Sequence, residues 1–124
     1  MKRDYLVYIE DMLDAMEKAE LAISGVDYDR FIEDFMINFV VVRALEIVGE
    51  ATKRLPMEFR ERYPSIPWKE MAGMRDRIIH GYDKVNLDIV WQVVQKNIPK
   101  VKPHLHQILE DYEGPAGNEA APEL

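Results

Sequence analysis

The chain contains no cysteine among its 124 residues, which excludes disulfide frameworks and thiolate metal sites. It also has no apolar run approaching the roughly 18 residues that a membrane-spanning helix needs. Its N-terminus runs directly into a charged amphipathic pattern, without the apolar segment of a signal peptide. We therefore expect a cytoplasmic protein, neither secreted nor inserted in a membrane.

An excess of positive charge is also missing, because 23 acidic residues outnumber 16 lysines and arginines and give a net charge of −7. Binding to nucleic acid is driven by Lys and Arg neutralising phosphates, so an acidic protein is a poor general binder of nucleic acid. The charge is uneven along the chain: residues 1–42 carry −6, residues 43–84 carry +2 and residues 85–124 carry −3. Any nucleic-acid function must therefore be local to the middle third.

Apolar residues recur at gaps of three and four along most of the chain, which predicts helices, and no alternating strand pattern is found. Residues 4–24 form the first predicted helix, with Gly25 as a natural stop. A second helix begins after a capping Asp27 or Asp29 and runs to about Leu55. Its broad apolar band is typical of a central helix and comprises Phe35, Phe39, Val42, Leu45, Ile47, Val48 and Ala51.

Prolines and capping residues delimit the remaining helices. Pro56 ends the second helix or opens a short one, and Ser65 is a candidate cap for a third main helix over about residues 67–80. Asn86 caps the last helix, whose apolar register continues across two prolines and so predicts one kinked helix.

Together these elements predict one all-α domain over residues 1–112, followed by a flexible C-terminal tail over residues 113–124. The expected architecture is an up-and-down bundle of four to five helices with a kinked C-terminal helix.

The densest chemistry lies in residues 75–82, which read RDRIIHGY. On a helix, Asp76 and His80 are four residues apart and share a face, so the carboxylate can fix the imidazole tautomer. Arg75 and His80 are five apart, about 140° around the axis, and could converge only at a helix end or across two copies. A histidine, a guanidinium and a tyrosine hydroxyl can cleave RNA without a metal. The competing interpretation is a solvated helix end with ordinary ion pairs.

The segment resembles the signature of HEPN-domain ribonucleases, and more closely the HepT toxin form Arg-x4-His-x-Tyr. Arg75, His80 and Tyr82 match that form, with Asp76 as the polar second residue. The resemblance covers about residues 4–112. It extends to three further segments: 44–53 (ALEIVGEATK), 66–68 (IPW) and 88–91 (DIVW).

The resemblance implies a homodimeric bundle with the two motifs facing each other across a cleft. It implies metal-independent RNA cleavage, with Arg75 and His80 catalytic and Asp76 supporting them. The implied partner is an MNT-type nucleotidyltransferase antitoxin that adds AMP to Tyr82, where a phosphate would repel RNA. No cofactor and no metal are implied.

Two other functions stay open at this point. The net charge of −7 suits a protein partner, so the chain could be a non-catalytic helical dimer that binds a nucleotidyltransferase or a nucleotide. Alternatively, the motif could hold a structural dimer together through salt bridges.

A second polar group lies in the predicted central helix. Glu46 and Glu50 are four residues apart and, with Arg43, could line a cleft or bind a metal, although a solvated or salt-bridged helix face is the favoured interpretation. Gly49 between them is interpreted as a point of close helix packing.

Overall fold

The computed structural model describes residues 2–80 and 84–112, and these are almost entirely helical. In chain order the elements are α1 (Lys2–Ala22), α2 (Tyr28–Glu33), α3 (Phe35–Lys53), α4 (Met57–Glu61), α5 (Trp68–Ala72), α6 (Met74–Ile78), β1 (Ile79–His80), β2 (Lys84–Val85), α7 (Leu87–Gln92), a π-helical segment (Val93–Asn97) and α8 (Ile98–Tyr112). The predicted all-α bundle is confirmed. The predicted tail, residues 113–124, lies outside the described residues.

The two long helices α1 and α3 pack along each other at the centre, with α5 against α3 and α8 against α1. The predicted stripe of α1 is confirmed, since Ile9, Met12 and Ala19 are wholly buried. After α1 the chain turns at Gly25, whose φ of 73° lies in the left-handed region that glycine tolerates. The core therefore forms around α1 and α3.

The second predicted helix is divided at Asp34, so a single helix to Leu55 is wrong. Asp27 caps α2 as expected. Asp34 adopts extended geometry (φ −95°, ψ 99°) and its side chain accepts from the backbone N–H of Met36, which starts α3. An aspartate that caps a new helix interrupts the old one, although the apolar period continues through it.

The third predicted helix is also divided and is shorter than expected. Gly73 separates α5 from α6, and the residue preceding α5 is Pro67, not a capping Ser65. The helix ends at Ile78 because Ile79 is extended (φ −108°, ψ 120°). Residues 79–80 then form a two-residue antiparallel ladder with residues 84–85, where no strand was predicted.

The last helix is one continuous run over residues 87–112, as predicted. Asn86 caps it, because its side-chain oxygen accepts from the N–H of Ile89 at 3.1 Å. The distortion is a π-helical segment, where the N–H of Ile98 bonds to the carbonyl of Val93. None of the helices in the described ranges is long and apolar enough to cross a membrane.

Candidate functional site at the end of α6

The short helix α6 presents Arg75 and Asp76 to solvent. Met74 and Ile78, four residues apart, bury their side chains in the core and so fix the rotation of α6. The side chains between them, Arg75, Asp76 and Arg77, are therefore exposed. The arginine of the predicted motif is available to a ligand.

The backbone of His80 lies in strand β1, beyond the helix. Ile79 pairs with Val85 and His80 with Lys84, and the N–H of Asn86 donates to the carbonyl of Ile78 at 2.6 Å. The shared helix face predicted for Asp76 and His80 is therefore wrong, because the helix ends before His80. Arg75 and His80 therefore do not lie on one straight helix, and their convergence at a helix end or across two copies stays a prediction.

Tyr82 and its neighbours, residues 81–83, fall outside the described residues, as does the side chain of His80. The structure thus gives the position of two predicted site side chains, Arg75 and Asp76, and of the strand that carries His80.

Positive charge is concentrated around this loop. In the sequence, residues 75–85 hold three cations, Arg75, Arg77 and Lys84, against two carboxylates, Asp76 and Asp83, which gives a net charge of +1. This local excess agrees with the positive middle third of the sequence. Such a surface can bind phosphate groups despite the acidic protein around it.

A cavity of about 410 Å³ lies behind α6, between this helix and the π-helical segment. Its walls are mostly apolar and include Leu45, Met71, Met74 and Val93, and Arg77 also contributes to its lining. Met74 and Arg77 of α6 therefore border this cavity, whereas Arg75 does not.

A hydrogen bond that the sequence did not predict joins α2 to α7. The hydroxyl of Tyr28 on α2 donates to a carboxylate oxygen of Asp88 in the first turn of α7. This hydrogen bond, followed by burial, raises the pKa of Tyr28 above its ordinary value. The two residues are 60 positions apart, so no local pattern could have revealed the pair.

Glu46, one member of the acidic pair on α3, forms an ion pair. Arg43 Nη1 lies 3.8 Å from Glu46 Oε1, which confirms the salt-bridged interpretation. Within residues 2–80 and 84–112, no group of three or more His, Cys, Asp or Glu side chains could hold a metal ion.

The structure is a helical bundle in which the motif arginine lies on α6 and the backbone of the motif histidine lies in the strand that follows. The model of the HepT-like family, described as ribonuclease HepT-like, matches residues 12–108. The chain therefore belongs to the HepT-like family.

Curated relatives cover nearly the whole chain. "Probable ribonuclease HepT" of Thermococcus cleftensis is 42% identical over 82% of this chain and 93% of its own length. "Putative RNase MJ1216" of Methanocaldococcus jannaschii is 41% identical over 91% of this chain and 93% of its own. "Putative RNase TTE0752" of Caldanaerobacter subterraneus subsp. tengcongensis is 42% identical over 83% and 92%. No solved structure matches the chain.

Proposed function

We propose that this protein is a ribonuclease that cleaves RNA without a metal, using Arg75 and His80 at a cleft between two copies. The observation that carries the proposal is the exposed Arg75 on α6, one helix end away from the strand of His80, in a chain of the HepT-like family. The relatives named as ribonucleases support the substrate class.

The chemistry needs only side chains of residues 75–80, contributed by the two copies. The neutral imidazole of His80 accepts the proton of a ribose 2′-hydroxyl, whose oxygen then attacks the adjacent phosphorus. As the bond from phosphorus to the 5′-oxygen breaks, an imidazolium from the second copy protonates that oxygen. Arg75 stabilises the charge on the phosphorane oxygens, and Asp76 supports the arrangement.

A second copy of the chain completes the cleft in this proposal. Four neighbouring apolar side chains on α3 form an exposed ridge: Phe35 at 63%, Met36 at 71%, Phe39 at 69% and Val40 at 48% exposure. A groove beside the ridge is lined by Phe39, Val42, Val85 and Leu87, so the ridge adjoins the hairpin of the motif. Patches of this kind mark protein interfaces, and a twofold contact would bring the two hairpins together.

We further propose that the protein is the toxin of a toxin–antitoxin pair. The antitoxin would be an MNT-type nucleotidyltransferase that transfers AMP from ATP to the Tyr82 hydroxyl, with loss of pyrophosphate. The added phosphate would place negative charge beside the cations of residues 75–84, where RNA phosphate binds. Intact-mass measurement after co-expression should show AMP-sized increments that are absent from Tyr82→Phe.

RNA cleavage in EDTA tests the catalytic proposal. Purified wild-type protein should cleave, His80→Ala should be inactive, and His106→Ala should remain active because His106 lies on the exposed side of α8, in the acidic cluster with Glu17. Arg75→Ala should lose activity with little change in Tm, since Arg75 is exposed. Cleavage by His80→Ala would refute the mechanism, and a sharp drop in Tm for Arg75→Ala would favour a structural motif.

The non-catalytic alternative keeps one observation in its favour, since an exposed apolar ridge on an acidic chain suits a protein partner. It predicts a protein that is inert on every RNA tested and yet co-purifies with its nucleotidyltransferase.

A further inference from the structure

Helix α2 is only six residues long, yet it is fixed firmly to its neighbours. Asn38, buried on α3, donates its side-chain N–H groups to the carbonyls of Phe31 (2.9 Å) and Ile32 (3.3 Å). At the other end, Asp27 caps the helix. Since so short a helix is not stable alone, these contacts hold α2 in place.

The face of α2 toward α7 is aromatic. The wholly buried Phe31 lies with its ring centroid 5.0 Å from that of Trp91, and the Tyr28 ring meets Trp91 edge-on at 5.9 Å. This packing directs the Tyr28 hydroxyl to the carboxylate of Asp88, which accepts its hydrogen bond. The first turn of α7 is therefore attached to a rigid neighbour by one polar contact.

The same turn of α7 forms the base of the motif hairpin. Asn86 caps α7 with its side chain, while its backbone N–H bonds to the carbonyl of Ile78, the last residue of α6. Among the residues that the structure describes, two pairs close the ladder above this bond. A two-stranded hairpin of this size is marginal alone, so its position depends on its base.

We infer that Tyr28 and Asp88 are positioning residues for the motif hairpin. Their hydrogen bond fixes the first turn of α7, and through Asn86 it fixes the strand that presents His80. The inference deepens the proposed function, on which its catalytic consequence rests. Neither side chain reaches the reacting groups in this scheme; both act through the backbone of residues 84–88.

Amide hydrogen exchange tests the positioning itself, without RNA. In Tyr28→Phe, which keeps the ring and removes the hydroxyl, the amides of residues 84–88 should exchange several-fold faster while those of α1 and α3 are unchanged. Asp88→Ala should behave alike, whereas Asp88→Asn, which keeps an acceptor oxygen, should retain protection. Tyr8→Phe on α1 is the matched control and should leave residues 84–88 unchanged. Unchanged exchange in both Tyr28→Phe and Asp88→Ala would overturn the inference.

RNA cleavage tests the consequence for catalysis. Misplacement of a catalytic group by about 1 Å can cost about 100-fold, so kcat of Tyr28→Phe should fall by about 10- to 100-fold, with KM and Tm nearly unchanged. Asp88→Asn should keep most of the activity that Asp88→Ala loses. If Tyr28→Phe showed faster amide exchange but kept the wild-type kcat, the proposed effect of the positioning on catalysis would be overturned. A wild-type protein that cleaves no RNA would refute the proposed function, and the exchange experiment would still decide the positioning.

Discussion

The buried amide of Asn38 offers the sharpest test of how this bundle is held together. It is 5% exposed and donates to two carbonyls at the end of α2, at 2.9 and 3.3 Å. Asn38→Ala would remove both N–H donors, so the carbonyls of Phe31 and Ile32 would lose these hydrogen bonds inside the protein. Asn38→Asp would preserve the shape and direct a carboxylate oxygen at carbonyl oxygens.

The size of the effect follows from these contacts. The bond to Phe31 has ordinary length, whereas the bond to Ile32 is at the long end of the range, so most of the loss comes from the first. Leaving a buried acceptor without a partner costs about 1–3 kcal/mol. We expect Asn38→Ala to lower the free energy of unfolding by about 2 kcal/mol and Tm by about 8 °C. Asn38→Asp should lose more, because a buried carboxylate without a donor is costlier than a missing amide.

Urea denaturation followed by circular dichroism at fixed pH measures both variants. Asn97→Ala, at an exposed position of the π-helical segment, serves as the control and should change stability by less than about 0.5 kcal/mol. If Asn38→Ala were within that margin, or if Asn38→Asp were as stable as the wild type, the proposed attachment of α2 to α3 would be refuted.

Two further predictions concern packing and pH. A Cβ at Gly49 would lie 3.2 Å from the carbonyl oxygen of Met71, so Gly49→Val should lower the free energy of unfolding in urea by about 1–3 kcal/mol. Gly73 is less crowded, so Gly73→Ala should not destabilise the protein. Equal effects of the two substitutions would contradict this reasoning. Burial and a hydrogen bond with Tyr112 raise the pKa of Tyr63 from 10.0 to about 12. The folded state thus favours the neutral phenol, and this stabilisation, complete below pH 10, is lost as the pH rises toward 12. Tyr63→Phe should therefore lose less stability across that interval, and an identical decline in both proteins would contradict the assignment.

Much of the fold could be predicted because it depends on local signals. Asp27 and Asn86 cap helices as their side-chain chemistry suggests, and Gly25 ends α1 with a positive φ. The close approach expected at Gly49 is confirmed by the backbone of α5. The two caps and the turn at Gly25 are specified by a few neighbouring residues, whereas Gly49 contacts Met71, which is distant in sequence.

Two of the errors occurred where the decisive contact is distant in sequence. Phe35 and Phe39 belong to the apolar band that predicted a central helix, but they face outward. An apolar period shows that a helix has an apolar face without showing which face the core covers. Helix α6 ends at Ile78, whose carbonyl bonds to Asn86 across the hairpin. The spacing of residues 75–80 gives no indication of that bond, so the end of α6 before His80 could not be predicted from this segment alone.

The π-helical segment makes chain length a determinant of the site. A π-helical turn holds one more residue than the α-helical turn it replaces. Deleting a single residue from Val93–Asn97 could restore α-helical bonding, and α7 would then rotate by about 100° relative to α8. Asn86 and the hairpin attached to it would move with α7. The deletion of one residue here would therefore change the orientation of the motif without changing the sequence of the motif.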